Sequence, residues 1–171
     1  LEAWATEVAD AFDRSVAVRV EGDVLVEARG RQSVLRLVEP LLENAIIHGI
    51  EPPEARSPKP ETGEIEVRFS EDDDGWTVSV EDDGRGLDLA ELSDRARTRG
   101  LVPSEALDRL PPRDRLALAF VPGVGGARGD RPSLAELRAA LRATEARFEV
   151  CTELGRGTAV HVRLPKPALT G

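Results

Sequence analysis

Leu41-Leu42-Glu43-Asn44-Ala45-Ile46-Ile47-His48-Gly49-Ile50-Glu51 and, after one predicted hairpin, Glu81-Asp82-Asp83-Gly84-Arg85-Gly86 are the two runs that decide how this chain is read. The first closes an amphipathic helix, because Val34, Leu37, Val38, Leu41, Leu42, Ala45 and Ile46 recur at helical spacing up to Gly49. Asn44 and His48 are four positions apart and share a helix face. An Asn amide oxygen is a hard, neutral ligand suited to a Mg²⁺ that carries substrate phosphates. The second run leaves a strand through Trp76, Val78 and Val80. An aspartate at a strand end, followed by glycines, lets the backbone come close to a flat ligand. A buried carboxylate only accepts hydrogen bonds. Asp82 would therefore take the amino group of adenine and reject guanine, whose matching atom is an acceptor. Taken alone, each run has an ordinary reading: a structural Asn–His pair, and an acidic reverse turn. Together and in this order they are harder to ascribe to chance.

Around these runs the chain alternates between helical and strand periods. Residues 1–13 predict a helix packing Trp4, Val8 and Phe12, followed by a strand through Val16, Val18 and Val20. Glu51 to Gly63 holds Pro52, Pro53, Pro58 and Pro60 and reads as a loop. Ile65, Val67 and Phe69 alternate out to a turn at Asp73-Asp74-Gly75, and Trp76, Val78 and Val80 alternate back as a hairpin. The acidic run Glu71 to Asp74 fits a hairpin tip better than a metal site. Asp88 with Glu91 forms a capping box for a helix that stops at Gly100. Leu101 to Phe120 predicts more helix, interrupted at Pro111 and Pro112. Pro122 to Pro132 is glycine-rich and irregular, and Ser133 with Glu136 opens a helix bearing Leu134, Leu137 and Leu141. Strands over Phe148 to Thr152 and Ala159 to Leu164 flank a turn at Gly155 and Gly157. The expected class is α/β, a two-layer sandwich whose mixed sheet is covered by helices on one face.

The 171 residues suit a single domain, 1–171. A start at Leu1 reads as a piece excised from a longer signalling protein. A net charge of −9 argues against a nucleic-acid partner, since neutralising phosphates takes clusters of Lys and Arg. Arg95, Arg97 and Arg99 alternate along a predicted helix and read as a solvated face. No apolar stretch approaches the roughly 18 residues that span a bilayer, so no direct membrane insertion is expected. Cys151 is alone, which excludes an intramolecular disulfide and fits a cytoplasmic location. Only Lys59 and Lys166 are lysines, so a basic phosphate contact would be an arginine.

Four stretches carry a resemblance to a known family. Asn44-Ala45, then His48-Gly49-Ile50-Glu51-Pro52, resembles the asparagine box of CheA-type sensor histidine kinases, and Glu81 to Asp88 resembles their first glycine box. Gly100-Leu101, then Leu110 through Phe120-Val121-Pro122-Gly123, is similar to the segment leading into their ATP lid. Gly155, Gly157 and Thr158 with the strand to Leu164-Pro165 are similar to their terminal motif. The resemblance covers most of residues 30–165 and implies the GHKL (Bergerat) ATP-binding fold, with ATP and Mg²⁺ as cofactors. Carried over by position, Asp82 would read adenine, Gly84 and Gly86 would shape its pocket and Thr158 would support the adenine side. Asn44 would hold Mg²⁺, His48 would lie near the phosphates, and Gly129 would belong to a second glycine box. The γ-phosphate would pass to a phosphoacceptor-histidine domain in the same or another chain, since neither His48 nor His161 resembles the acceptor. From there it would reach a response regulator, with a chemotaxis-type adaptor as a possible further partner.

The chain also departs from that pattern. Where the family has a histidine or glutamate one turn before the asparagine, this chain has Pro40, and no catalytic residue is assigned. Glu39 and Glu43 are turned about 100° away on a helix. Ile47 replaces an aspartate beside the phosphate site. In the second glycine box, Arg131 and Ser133 stand where glycines are expected, and Pro132 has no N–H to offer a phosphate. An alternative alignment uses Gly123, Gly125 and Gly126 as the phosphate loop. The expectation is a CheA-like ATP-binding domain with reduced or lost phosphotransfer. The alternatives are a pseudokinase scaffold that binds no ATP and an active protein-histidine kinase core. Another GHKL branch, such as an anti-sigma-factor kinase or a gyrase-type ATPase, is disfavoured by the Gly100 to Gly123 segment.

Overall fold

Alternation of apolar and polar residues builds the sheet that carries the site. A computed structural model describes residues 1–22, 37–73, 75–124 and 146–165, with the backbone alone at 112 and 113. Gly125, Gly126, Gly129, Arg131, Pro132, Ser133 and the helix expected from Ser133 lie outside the described residues, as does the start of the asparagine helix. The described elements are α1 (Glu2–Ala11), β1 (Val16–Glu21), α2 (residues 37–44, continuing into a π-helical turn, Ala45–Gly49), β2 (Gly63–Glu71), β3 (Gly75–Asp82), α3 (Leu89–Thr98), α4 (Ser104–Arg109), a 3₁₀ helix (Pro112–Phe120), β4 (Arg147–Glu153) and β5 (Gly157–Pro165).

Among the described residues five strands form one mixed sheet in the order β1-β2-β3-β5-β4. β1 runs parallel to β2 and the other pairs are antiparallel. The parallel pair needs a crossover, which α2 provides between β1 and β2 in the chain. In the β2–β3 hairpin Glu71 faces Trp76, and Asp72 closes the tip by accepting the Gly75 amide at 3.0 Å. Arg163 of β5 donates to both Asp72 carboxylate oxygens, at 2.8 and 2.7 Å, so the acidic tip is an ion-paired turn.

Packing divides the chain into two units, Leu1–Gly86 with Leu141–Gly171, and Leu87–Ala140. In the first, Ile65, Val67, Val78, Val80, Val160, Val162 and Leu164 line one sheet face, and Leu37, Val38, Leu41, Leu42, Ala45 and Ile46 are buried on α2. Burying a side chain of this size contributes about 1.5–3 kcal/mol. On α1 the fully buried stripe is Ala5 and Ala9, four apart, while Trp4, Val8 and Phe12 are half-buried. Small residues in that stripe let the helix backbone sit close to its neighbours.

In the second unit Asp88 caps α3 by accepting the amides of Ala90 and Glu91, at 2.9 and 3.0 Å. Gly100 takes φ +62° just beyond the helix, as a C-terminal glycine should. Arg95 and Arg97 pair with Glu91, Asp94 and Asp108, and Arg99 donates to the Gly123 carbonyl. The expected helix over 101–120 is α-helical only at Ser104–Arg109. Pro111 and Pro112 lack the N–H groups a continuous helix needs, and the chain resumes as the 3₁₀ segment. Among the described residues no helix is long and apolar enough to cross a membrane.

Candidate functional site

Asp82 is the last residue of β3 and continues its inward-facing row. In register, Val78 pairs with Val162, Val80 with Val160 and Asp82 with Thr158. A carboxylate thus occupies the next place in an apolar stripe, with only 7% of its surface exposed. Burial pushes its pKa up from the ordinary 3.8 to about 7. The amides of Gly84 and Thr158 pull it back, and the nearby carboxylates of Asp83 and Glu51 raise it further. Gly84 donates its amide to Asp82 Oδ1 at 3.0 Å.

The end of α2 meets this turn closely. The helix widens into its π turn, with the Ile50 amide bonding the Ala45 carbonyl at 2.8 Å. The last carbonyls of a helix have no partner within it. Here the Gly49 carbonyl accepts the Arg85 amide at 2.9 Å, and the His48 carbonyl accepts Arg85 Nε at 3.0 Å. A Cβ on Gly49 would stand 2.8 Å from Asp82 Oδ1, and one on Gly84 would stand 2.2 Å from the Gly49 oxygen. Glycine is needed at both because backbone and carboxylate fill the space.

The other strands complete the surround. Gly157 has φ +124°, and a Cβ there would lie 1.8 Å from the Asp82 carbonyl. Gly86 sits against the Glu153 carbonyl, and the Gly155 amide bonds the Arg85 carbonyl at 2.7 Å. Thr158 is buried, and its hydroxyl lies 3.1 Å from that of Thr152. A cavity of about 310 Å³ opens at this end of the sheet; Asp82, Thr152, Gly157 and Thr158 border it together with Glu81, Cys151 and Ala159, which belong to the row on the opposite sheet face.

The structure therefore brings together Asp82, Gly84, Gly86 and Thr158 of the residues singled out in the sequence, together with the backbone of His48. Asn44 is half-buried at the junction between the α and π segments of α2, just over one turn before Gly49, and it does not border the cavity. Gly129 lies outside the described residues. Pro40 is half-buried in the helical residues 37–44. Among the described residues no group of three or more His, Cys, Asp or Glu side chains could hold a metal ion.

Sequence reasoning missed the polar network beneath the turn. Arg56, in the proline-rich loop, has a fully buried side chain. It donates to Pro60 O at 2.7 Å, Glu51 Oε2 at 2.8 Å and Asp83 Oδ2 at 2.7 Å. Lys59 pairs with Glu51 at 3.1 Å, and Asp83 Oδ1 accepts the Glu64 amide at 2.9 Å. One signal was available: Glu51, Arg56 and Lys59 are charges of both signs in a loop whose composition otherwise reads only as a turn.

Comparison with known proteins points one way. The sequence pattern of histidine kinase-, DNA gyrase B- and HSP90-like ATPases matches residues 30–168. The chain is 31% identical to a gliding motility regulatory protein of Myxococcus xanthus, over 74% of this chain and 17% of that protein. It is 26% identical to the sensor histidine kinase CheAY of Helicobacter pylori, covering 89% of this chain and 20% of that one. It is 29% identical to the chemotaxis protein CheA of Treponema pallidum, covering 90% and 20%. The chain thus spans about a fifth of the length of these relatives. Its fold is similar to the histidine kinase domain of the blue-light activated histidine kinase of Erythrobacter litoralis EL346, with a TM-score of 0.52 at 20% identity, covering 99% of this chain and 67% of that one. A mycobacterial sensor histidine kinase, MprB, matches with a TM-score of 0.50 at 21% identity, covering 94% and 93%.

Proposed function

We propose, since the chain belongs to the family of histidine kinase-, DNA gyrase B- and HSP90-like ATPases, that it is a CheA-like ATP-binding domain in which phosphotransfer is reduced or lost. One observation carries the binding half of this reading: a buried carboxylate, Asp82, surrounded by positions that admit only glycine. In this reading the ionised form of Asp82 accepts the adenine amino group, Gly84 and Gly86 keep the pocket floor flat, and Thr158 flanks the base. The amide oxygen of Asn44 holds the Mg²⁺ of the nucleotide, which would neutralise phosphate charge when bound, and His48 lies toward the phosphates. Both compact units belong to one ATP-binding domain. The partners are a phosphoacceptor-histidine domain, a response regulator and a chemotaxis-type adaptor.

The transfer half rests on Pro40. A general base contributes typically 10²–10⁴-fold to proton handling, and proline has no side chain that can serve as one. Calorimetry with Mg-ATP tests the binding half. The chain should bind in the micromolar range, about −8 kcal/mol, and Asp82→Ala should abolish the signal. Flat heats at millimolar nucleotide in a folded chain would remove this reading and leave the scaffold that binds no ATP.

A further inference from the structure

Lys59, one of the two lysines in the chain, has all three of its ammonium donors engaged. Nζ donates to Glu51 Oε1 at 3.1 Å, to the Asp83 carbonyl at 2.8 Å and to the Gly84 carbonyl at 2.7 Å. An ammonium has three donors and no acceptor, so this inventory is complete. The two carbonyls are consecutive, and both belong to the turn that follows Asp82.

Peptide geometry gives the arrangement a consequence. In a planar trans peptide the C=O and the N–H point in opposite directions. With the Asp83 carbonyl drawn to Lys59, the Gly84 amide in the same plane faces away, and it bonds Asp82 Oδ1 at 3.0 Å. With the Gly84 carbonyl drawn to Lys59, the Arg85 amide faces away, and it bonds the Gly49 carbonyl at 2.9 Å. One side chain thus orients two peptide planes, one aimed at the carboxylate and the other at the end of α2. Arg56 anchors the same assembly from below by holding Glu51 and Asp83. Arginine in place of Lys59 would keep the charge, but its donors lie in a rigid planar fork that does not converge on three acceptors spread in space.

We propose that Lys59 is a positioning residue for purine recognition: by holding the Asp83 and Gly84 carbonyls it fixes the turn that presents Asp82 to the base and joins that turn to α2. The inference rests on the nucleotide-binding reading of this turn, and it deepens that reading.

Two measurements on the full chain test it, using Lys59→Met and Lys59→Arg. Hydrogen exchange without nucleotide reads the clamp itself. In Lys59→Met the amides of Gly84 and Arg85 should exchange at least roughly tenfold faster, while the Val80 amide, inside β3, keeps its rate. Lys59→Arg should resemble Lys59→Met. Titration with Mg-ATP and Mg-GTP then reads recognition: Lys59→Met should weaken ATP binding at least roughly tenfold and narrow the preference for ATP. Unchanged exchange at Gly84 and Arg85 overturns the proposal, as does faster exchange with unchanged ATP affinity. Full recovery by Lys59→Arg assigns the effect to net charge and also overturns it. An unmodified chain that binds no ATP defeats the proposed function instead, and the exchange result then decides the clamp alone.

Discussion

A carboxylate that ends an inward row of Trp76, Val78 and Val80 has little water with which to ionise. Asp82 titrates near 7 in the folded chain against 3.8 ordinarily. Between those pH values the folded state holds a proton that the unfolded chain has released. The group's contribution is therefore fully present below about pH 4 and falls away as pH rises through 7, by on the order of 4 kcal/mol. Asp82→Asn keeps the shape and cannot ionise. In thermal unfolding followed from pH 4 to 8, the variant should match the unmodified chain at the acid end and exceed it increasingly toward neutrality. Parallel curves would show that Asp82 carries no such cost. The ligand side runs the other way, because an amide in this place presents donors as well as an acceptor to the adenine amino group. Stability given up by a buried charge and selectivity obtained from it would then belong to the same residue. Asp82 was legible in the sequence because it stands at the end of an alternating strand and before glycines. Lys59 and Arg56 were not, because the partners that tie them to the turn, Asp83 and Gly84, lie far along the chain, and no local period records such a pairing.

Elements with one dominant local signal were legible, and those set by distant partners were not. The β2–β3 hairpin follows from strict alternation and a short acidic tip, and α3 from Asp88 at one end and Gly100 at the other. The parallel pairing of β1 with β2 left no such trace, because its register is settled through α2 and not by a turn. The 3₁₀ form of Pro112–Phe120 was also missed: its apolar spacing suits a helix, while two prolines deny the first turn its donors. The π turn at Ala45–Gly49 is invisible to a period count, though it is what presents the His48 and Gly49 carbonyls to Arg85. The cap of α3 is simpler to test. Only the Asp88 half of the predicted box is formed by the aspartate, which serves two amides, while Glu91 pairs with Arg95. Asp88→Ala should lower stability in urea by about 1 kcal/mol, and Asp88→Asn, which caps equally well, should leave it within a few tenths. Equal losses from both would mean that charge at the helix start, and not the cap, is what matters there.

At the scale of the whole molecule, the proposed function places recognition and transfer on different residues of one compact unit, Pro40 included. Asp82, Gly84, Gly86, Thr158 and the end of α2 all lie in the unit that contains the sheet. Phosphoryl transfer depends mostly on positioning and on charge stabilisation around the phosphates. The proposed function therefore allows the first to persist while the second fails, and Pro40 is where that separation can be measured. Pro40 differs from a family base in two ways: it lacks a proton acceptor, and it lacks a backbone N–H within helical residues 37–44. Pro40→Ala restores the N–H alone, whereas Pro40→His restores both. Labelled ATP and a phosphoacceptor-histidine domain, with each form of the full chain, would give transfer rates beside nucleotide affinities. Pro40→His should transfer at least about 100-fold faster than the unmodified chain, Pro40→Ala should not, and ATP affinity should change little in either. Rapid transfer by the unmodified chain would show that Pro40 does not mark a lost base. A rise in Pro40→Ala equal to that in Pro40→His would place the defect in the helix backbone, because proton acceptance would then have contributed nothing.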